Sequence, residues 1–422
     1  VHPDERKEAT AASPVQWAPV PEELVVPMSQ HLGAPCAPLV SEGDRVARGQ
    51  VIGDVDAFVS APVHSPVDGV VTGVRSALTT GGVRVTAVAI RPDEEQDLGR
   101  FVPVPEADDE RARVRAAGIV GLGGATFPSV VKLKPPPDMP VHTVILNGCE
   151  CEPYLTCDHR LMLEEPERVV AGGRLIRTMV GADRVVVAVE SNKADAAAAL
   201  ERAAGEDVEV GVLPTRYPQG AEKQLIFALL NKEVPHGKLP AATGALVHNV
   251  ATAAAIADAV ELGKPLTERI VTVTGAVGRP GNYRVLLGTL VSDLLEAAGG
   301  LQADVARVIA GGPMTGQALA ALDVPVTKGT SGIVALRADE AAPLIDDDQP
   351  CMRCGRCSRG CPMALEPYAI ADYAYRRMWD AAEKRHSVDC IECGVCSYVC
   401  PTRRPLVQLI RLAKAAAMSK GA

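Results

Sequence analysis

Apolar and polar positions change rhythm along the 422 residues, and each rhythm predicts a different architecture. Between about 33 and 91 the apolar runs are short and sit between Gly and Pro turns. Gly49-Gln50-Val51-Ile52-Gly53 and Gly69-Val70-Val71-Thr72-Gly73 are examples, and they predict an all-β module. Residues 92–110 are acidic and Pro-rich, the composition of a linker. From 111 to 262, apolar strands (Val141–Leu146, Arg184–Val189, Val208–Leu213, Ala245–Val250) alternate with helical segments (Glu164–Val180, Ala194–Ala204, Ala221–Leu230, Ala253–Glu261). That alternation predicts a largely parallel α/β sheet, the usual seat of a cofactor. From 266 to 330, Arg269–Val277, the turn at Pro280-Gly281-Asn282-Tyr283 and Leu290–Gly299 give strand, turn, strand and helix, a β-grasp-like order. Ala341–Gln349 is an acidic link into a last domain, 345–422. In that domain a helix-prone stretch runs from Leu365 to Lys384. A C-terminal helix from Pro405 to about Met418 places Leu406, Leu409, Ile410 and Ala413 on one face. Packing of that helix on its own domain is the simpler expectation; a docking surface is the alternative.

The fold class expected is therefore multidomain α/β. An N-terminal segment with a β module occupies 1–92, and an α/β domain 111–262. A β-grasp module covers 266–330, and a helical cysteine-rich domain 345–422. Within the first unit, SEGDRVARGQVIG and APVHSPVDGVV resemble the barrel-sandwich fold of lipoyl and biotinyl carriers. Those carriers present a Lys at the hairpin tip. Here the tip reads Asp56-Ala57-Phe58-Val59, so the module is expected to be structural, without a swinging arm.

Composition narrows the function. Hydrophobic residues make up 47%, so disorder over the whole length is excluded, and with aromatics at only 3% the cores must be aliphatic. The net charge of -9 argues against nucleic acid as a partner. No apolar run reaches the roughly 18–20 residues that span a bilayer. The start of the chain, VHPDERKEAT, lacks the apolar stretch of a signal peptide, so a cytoplasmic location with reduced thiols is expected.

Eight of the 12 cysteines fall in two runs. Cys351, Cys354, Cys357 and Cys361 precede Pro362; Cys390, Cys393, Cys396 and Cys400 precede Pro401. Both read C-x2-C-x2-C-x3-C-P, the bacterial ferredoxin pattern for [4Fe–4S] clusters, in which the fourth Cys ligates the other cluster. Three thiolates two residues apart curl round one cubane, and the fourth arrives from the opposite run. Cys351, Cys354, Cys357 and Cys400 are thus expected to hold one cluster, and Cys390, Cys393, Cys396 and Cys361 the other. Gly355, Gly360 and Gly394 let backbone amides approach the sulfurs. A zinc ribbon uses paired C-x2-C instead, and disulfides are disfavoured in the cytosol. Cys36, Cys149, Cys151 and Cys157 read as free thiols rather than a third metal site. His31, His64, His159 and His248 read as structural, and Glu150 and Glu152, taken alone, as equally good surface carboxylates.

The second motif is Gly118-Ile119-Val120-Gly121-Leu122-Gly123-Gly124-Ala125-Thr126-Phe127-Pro128. Its glycines let backbone amides close on a phosphate or a planar ring. Its spacing is not that of a Rossmann G-x-G-x-x-G loop. It resembles the flavin and nicotinamide loop of the NADH-oxidising subunit of respiratory complex I. A closer resemblance is to the family of C-type subunits of the Rnf (Rsx) electron-transport complex. It is carried by Asn147-Gly148-Cys149-Glu150-Cys151-Glu152-Pro153-Tyr154, Leu155-Thr156-Cys157-Asp158-His159-Arg160, Arg216-Tyr217-Pro218-Gln219-Gly220-Ala221-Glu222-Lys223-Gln224, Asn249-Val250-Ala251-Thr252-Ala253, Gly311-Gly312-Pro313-Met314 and an opening HP-x-x-x-K. The order of modules agrees over essentially the whole chain.

The resemblance implies non-covalent FMN with NAD(H) stacked on it. Gly121, Gly123 and Gly124 would face flavin and nucleotide, with Phe127 beside the nicotinamide or adenine. Lys132 or Lys134 would meet phosphate. Asn147, Glu150 and Glu152 would line the pocket, Tyr217, Gly220 and Glu222 its second wall, and Asn249 and Thr252 its phosphate end. Where complex I has Arg, Gly and an acid, this chain has Leu122, Thr126 and Cys149. The implied function is the peripheral electron-input subunit of an ion-translocating ferredoxin:NAD+ oxidoreductase, on the cytoplasmic face of the bacterial inner membrane. Its partners would be membrane and Fe–S subunits, NADH directly and ferredoxin indirectly. The alternatives are a cobalamin-reductase-like flavin/Fe–S protein of a microcompartment and a flavin-free Fe–S scaffold. No side-chain nucleophile or general base is expected.

Overall fold

The computed structural model describes residues 1–341 and 350–419. The acidic link after Ala341, and with it the expected start of the last domain at 345, lies outside the described residues.

The β module packs two antiparallel sheets. One is ordered Leu24–Pro27, Arg84–Pro92, Gly69–Leu78, Arg45–Val46; the other Ala37–Pro38, Val51–Asp54, Val63–His64. Alternation along these strands turns Leu24, Val26, Ile52, Val63, Val88 and Ile90 into one core. At the tip, Phe58 stands 78% exposed.

The α/β domain has four parallel strands in the order Val208–Leu213, Arg184–Glu190, Thr143–Gly148, Ala245–Asn249. The chain leaves the Thr143–Gly148 strand toward one side and returns on the other at Ala245–Asn249. The strand order therefore reverses between these two, which opens a crevice at their carboxyl ends. The helix expected over Glu164–Val180 runs from Pro166 to Val180, and a further helix, Cys157–Glu164, precedes it. Pro166 has no N–H to continue the earlier helix and suits the start of the later one. The last helix begins at Val250, three residues before its expected start. Asn249 caps it, its Oδ1 accepting from Ala251 N at 2.8 Å and Thr252 N at 3.3 Å. Gly172 lies so close to this helix that a Cβ there would overlap the Ala253 carbonyl.

The β-grasp sheet is larger than the 266–330 expected. Its order is Val15–Trp17, Gly281–Leu286, Glu268–Gly275, Gly332–Arg337, Val305–Ala310, Gln317–Ala318. Gly332–Arg337 is a central strand because its apolar run is buried on both sides. Val15–Trp17 is a parallel edge strand donated by the N-terminal segment.

In the cysteine-rich domain the Leu365–Lys384 stretch breaks into Pro367–Tyr375 and Trp379–Glu383, with Arg377 at φ 56° between them. The C-terminal helix, Leu406–Ser419, buries Leu406, Val407, Ile410 and Ala413 against its own domain. Leu409 is only half-buried, and packing rather than docking uses this face. Among the described residues no helix is long and apolar enough to cross a membrane.

Candidate functional site

The two cysteine runs fold as a repeat. Left-handed backbone recurs at matching places: Arg353 and Glu392, Gly355 and Gly394, Ala364 and Arg403. Arg353 N donates to Cys351 Sγ and Glu392 N to Cys390 Sγ, both at 3.4 Å. Amides aimed at sulfur are what a thiolate-bound cluster needs. Cys351, Cys354, Cys357 and Cys400 surround a cavity of about 200 Å3. Cys361, Cys390, Cys393 and Cys396 surround a smaller one, about 20 Å3, walled by Pro362, Met363, Leu365, Ile391 and Val395. In each, three sulfurs come from one run and the fourth crosses from the other. The donor sets fit two [4Fe–4S] clusters.

The glycine loop stands over the crevice of the parallel sheet. It closes on itself: Gly121 N donates to Phe127 O at 2.9 Å, and Thr126 N to Gly121 O at 3.1 Å. Leu122 is buried beneath it, its amide held by Thr252 Oγ1 at 2.9 Å. Gly123, Gly124 and Ala125 face outward, and among the described residues no acceptor meets their amides. Gly123 lies against Asn249, its would-be Cβ 3.3 Å from Asn249 Cβ, and beyond Gly124 the space is open. Outward amides beside open space at a switch point form a cradle for a phosphate or a flat ring, and FMN fits it.

The other expected residues gather beside this loop in varied roles. Asn147 Nδ2 donates to Gly220 O at 2.8 Å, and Cys149, Cys151 and Asn147 pack under Gly220 where a side chain would sit. Lys132 is tied to Glu222 (2.7 Å) and the Val247 carbonyl (2.6 Å), an internal pair rather than a free phosphate ligand. Lys134 is exposed. Thr252 is fully buried and works through Leu122. Glu150 turns inward to cap the Cys157–Glu164 helix, accepting from Asp158 N (2.7 Å) and His159 N (3.2 Å). Glu152 reaches the β-grasp loop. It takes the amides of Met314 (2.6 Å) and Thr315 (3.0 Å) and meets Tyr217 Oη at 3.3 Å. Burial lifts its carboxyl above the ordinary value, against the pull of those amides.

Several participants carry no signal of their own in the sequence. Lys7 is buried, and its Nζ donates to the carbonyls of Glu150 and Leu155, each at 2.6 Å. Lys193, also buried, donates to Cys149 O at 2.7 Å. Two ammonium groups thus underpin the loop that follows the Thr143–Gly148 strand. The Lys of the HP-x-x-x-K opening is the only hint of the first. Asp158, beside the crevice, receives Asn249 Nδ2 at 2.6 Å. Burial, then the neighbouring Glu150 charge, pushes its carboxyl up to about 7.

The folded chain therefore holds the Asp158 proton more tightly than the unfolded chain does. Its contribution to stability is present at low pH and is lost as pH rises between about 4 and 7, with a slope of up to about 1.4 kcal/mol per pH unit. Asp158→Asn should shrink that slope in thermal unfolding followed from pH 5 to pH 8. An unchanged slope would assign it to other groups.

Of the remaining cysteines, Cys36 sits in the barrel-sandwich core and Cys157 opens a helix; both are buried free thiols. Burial pushes Cys151 up to about 12. His64 and His248 are buried, and burial pushes both down to about 3, which fits neutral structural imidazoles.

The cluster domain and the α/β domain meet at one seam, and it is the smaller cavity that faces it. Tyr217 Oη donates to Cys393 O at 2.7 Å, and Gln224 Nε2 to Pro362 O at 3.2 Å. His236 Nδ1 meets Asp389 at 2.6 Å, one residue before Cys390. A Cβ on Gly394 would overlap Met314 O, so the β-grasp loop presses on the same run.

Four family descriptions match the chain: RnfC barrel sandwich hybrid domain over 1–95, Nuo51 FMN-binding domain over 114–258, SLBB domain over 270–318 and 4Fe-4S dicluster domain over 343–401. The C-type subunit of the Na+-translocating ferredoxin:NAD+ oxidoreductase complex of Acetobacterium woodii is 46% identical over 98% of this chain and 95% of its own length. The proton-translocating counterpart of Clostridium ljungdahlii is 42% identical over 98% and 92%. Among solved structures, an NAD+-reducing [NiFe]-hydrogenase in the air-oxidised state shares the fold with a TM-score of 0.52 at 22% identity. That match covers 75% of this chain and 67% of the other.

Proposed function

The chain belongs to the family of C-type subunits of ion-translocating ferredoxin:NAD+ oxidoreductase complexes, and from that premise we propose how its residues divide the work of electron input. It is an oxidoreductase subunit with an FMN domain and two [4Fe–4S] clusters. When bound, FMN exchanges a hydride with NAD(H) and single electrons with the clusters, a conversion nicotinamide cannot perform alone. The chain's residues supply place and order. The amides of Gly123, Gly124 and Ala125 offer donors to flavin or nucleotide phosphate, with Phe127 beside them. Asn147 and Gly220 form the opposite wall, and Asn249 fixes the loop against the switch point. The buried Lys7 and Lys193 hold the carbonyls of Glu150, Leu155 and Cys149 and so fix the course of the chain beneath this wall.

The observation that carries the reading is the seam. Tyr217 and Gln224 flank Gly220 of the wall, and both bond residues that line the smaller cavity. The Cys361, Cys390, Cys393 and Cys396 centre is therefore the nearer one, and the Cys351, Cys354, Cys357 and Cys400 centre the outer one. With FMN and both clusters bound, the Cys361, Cys390, Cys393 and Cys396 centre would be placed to exchange electrons with the flavin, and the Cys351, Cys354, Cys357 and Cys400 centre to exchange them with a neighbouring Fe–S subunit of a membrane complex. This chain sits on that complex as a peripheral subunit at the cytoplasmic face, serving ferredoxin indirectly.

Reconstituted protein should carry FMN and about eight iron atoms. Anaerobic NADH should bleach both the flavin and the clusters. A bleached flavin above clusters that stay oxidised would end the proposal.

A further inference from the structure

The seam between the α/β domain and the cluster domain carries a group of ligand-type side chains that flavin and clusters leave unused. His236, His386 and Asp389 bring their nitrogen and oxygen atoms within 4.8 Å of one another. His236 Nδ1 lies 2.6 Å, and His386 Nδ1 3.6 Å, from the same atom, Asp389 Oδ2. The two rings stand nearly perpendicular, with centroids 5.5 Å apart. His236 follows the Glu222–Leu230 helix of the α/β domain, whereas His386 and Asp389 belong to the cluster domain.

Tight turns present all three. Pro235 O accepts from Lys238 N at 3.0 Å and Gly237 takes φ 67°, so His236 stands at the tip of a turn. His386 itself has φ 61°, a left-handed backbone that few side chains adopt, and its carbonyl accepts from Asp389 N at 3.0 Å. That turn directs two side chains three residues apart toward the ring arriving from the other domain. Backbone held in this region is a common feature of ligand clamps. Ordinary pairing does not ask for such an arrangement. Two imidazoles compete here for one carboxylate oxygen, and both ion pairs of Asp389 found among the described residues are with histidine. His142 and Asp183 show the ordinary case, one exposed ring on one carboxylate at 3.2 Å.

Two imidazoles and a carboxylate suit zinc and its neighbouring divalent transition ions rather than Mg2+ or Ca2+. A tetrahedral ion about 2.1 Å from each ligand atom sets those atoms about 3.4 Å apart and the ring centroids about 5 Å apart. The 2.6 and 3.6 Å separations fall on either side of the first value, and 5.5 Å is close to the second. Opening the shorter contact by about 0.8 Å admits the ion. The two rings are 63% and 65% exposed, which leaves them room to turn and lets water take the fourth position.

We propose that His236, His386 and Asp389 bind one divalent ion of the zinc class, and that this ion clips the α/β domain to the cluster domain one residue before Cys390. Each imidazole binds as its neutral form through a nitrogen lone pair, and the carboxylate supplies the negative charge. Zinc changes no oxidation state, so the clip is mechanical and carries no electron. Binding depends neither on bound flavin nor on the electron order proposed above.

The test uses tag-free holoprotein with FMN and both clusters, dialysed anaerobically against Zn2+. Metal analysis should find about one zinc per chain beside about eight iron atoms. Zinc should raise the midpoint of thermal unfolding, because only the folded chain assembles the three ligands. His236→Ala and His386→Ala alter exposed side chains. Each should weaken zinc binding at least about tenfold and remove most of the thermal shift. His142→Ala, in the one-to-one pair, should change neither. Zinc X-ray absorption should report two imidazole nitrogens at about 2.0–2.1 Å.

Equal zinc in wild type and His236→Ala overturns the site. Zinc kept by His236→Ala but lost from His386→Ala places the ion on the cluster domain alone and overturns the clip. Zinc that enters only as iron leaves, or that shows sulfur neighbours in the absorption spectrum, sits on the cluster cysteines and likewise ends the proposal.

Discussion

Cys361→Ala should leave NADH able to bleach the flavin while the outer cluster stays oxidised. Cys361 belongs by sequence to the first cysteine run but lines the cavity of the second, with Cys390, Cys393 and Cys396. Its loss should drop the iron content from about eight to about four atoms per chain. The remaining centre would be the one farther from the Tyr217 and Gln224 seam. Dye reduction by NADH, which needs only the flavin site, should persist. Reduction of the outer centre by NADH should disappear from the EPR spectrum, while dithionite still reduces it. Cys400→Ala gives the mirror experiment, because Cys400 lines the outer cavity. There the nearer centre should still accept electrons from NADH at the wild-type rate. If Cys361→Ala leaves the outer centre reduced as fast as in wild type, the order is reversed.

Gly312→Ala is the second large expected effect, and it tests geometry instead of ligation. A methyl at Gly312 would overlap the Cγ, Cδ and Oε1 atoms of Glu152. Glu152 must then release the amides of Met314 and Thr315, and Met314 is the residue that presses on Gly394 of the nearer cluster run. Overpacking of this kind costs about 2–3 kcal/mol, visible as a lower midpoint of unfolding. The cluster domain would sit less firmly on the seam. NADH-driven cluster reduction should slow by about tenfold in stopped flow, with flavin bleaching little changed. Glu152→Gln keeps the shape and an acceptor for the Met314 amide, so it should lose much less. Equal losses in the two variants would point to the Glu152 charge rather than to fit.

What the sequence could announce depended on how local the signal was. The eight cluster cysteines were legible because ligation at two- and three-residue spacing is written in a short stretch. The family's use of the fourth Cys supplied the crossing. The parallel sheet was legible because its strands are apolar runs bounded by turns. Helix ends were less so: the break before Pro166 and the early start at Val250 follow from single residues, Pro166 and Asn249, that override propensity. The Gly332–Arg337 strand was missed, although its run is apolar, because it returns to the sheet centre after a long connection. Glu152 and Lys132 were expected at the cofactor, but they bond Met314 and Glu222, partners distant in sequence, and Glu150 bonds the start of the helix eight residues on. Lys7 shows the limit most plainly. Nothing within its own neighbourhood says that its ammonium will be buried 143 residues away, on the Glu150 carbonyl.

The segment around Lys7 and Val15–Trp17 has a further meaning for biosynthesis. Val15–Trp17 pairs with residues 282 to 284, and Thr10 O accepts from the Asn282 side chain. A ribosome releases the barrel-sandwich strands, then the parallel sheet, long before it releases Asn282. A stretch made before all of these strands is thus among the last to find its place, and until then the edge of the β-grasp sheet and the cavity for the Lys7 ammonium have no occupant. Nascent chains halted before Asn282 should hold a folded barrel-sandwich with an N-terminal strap still open to protease, and the strap should become protected only once the Gly281–Leu286 strand has emerged.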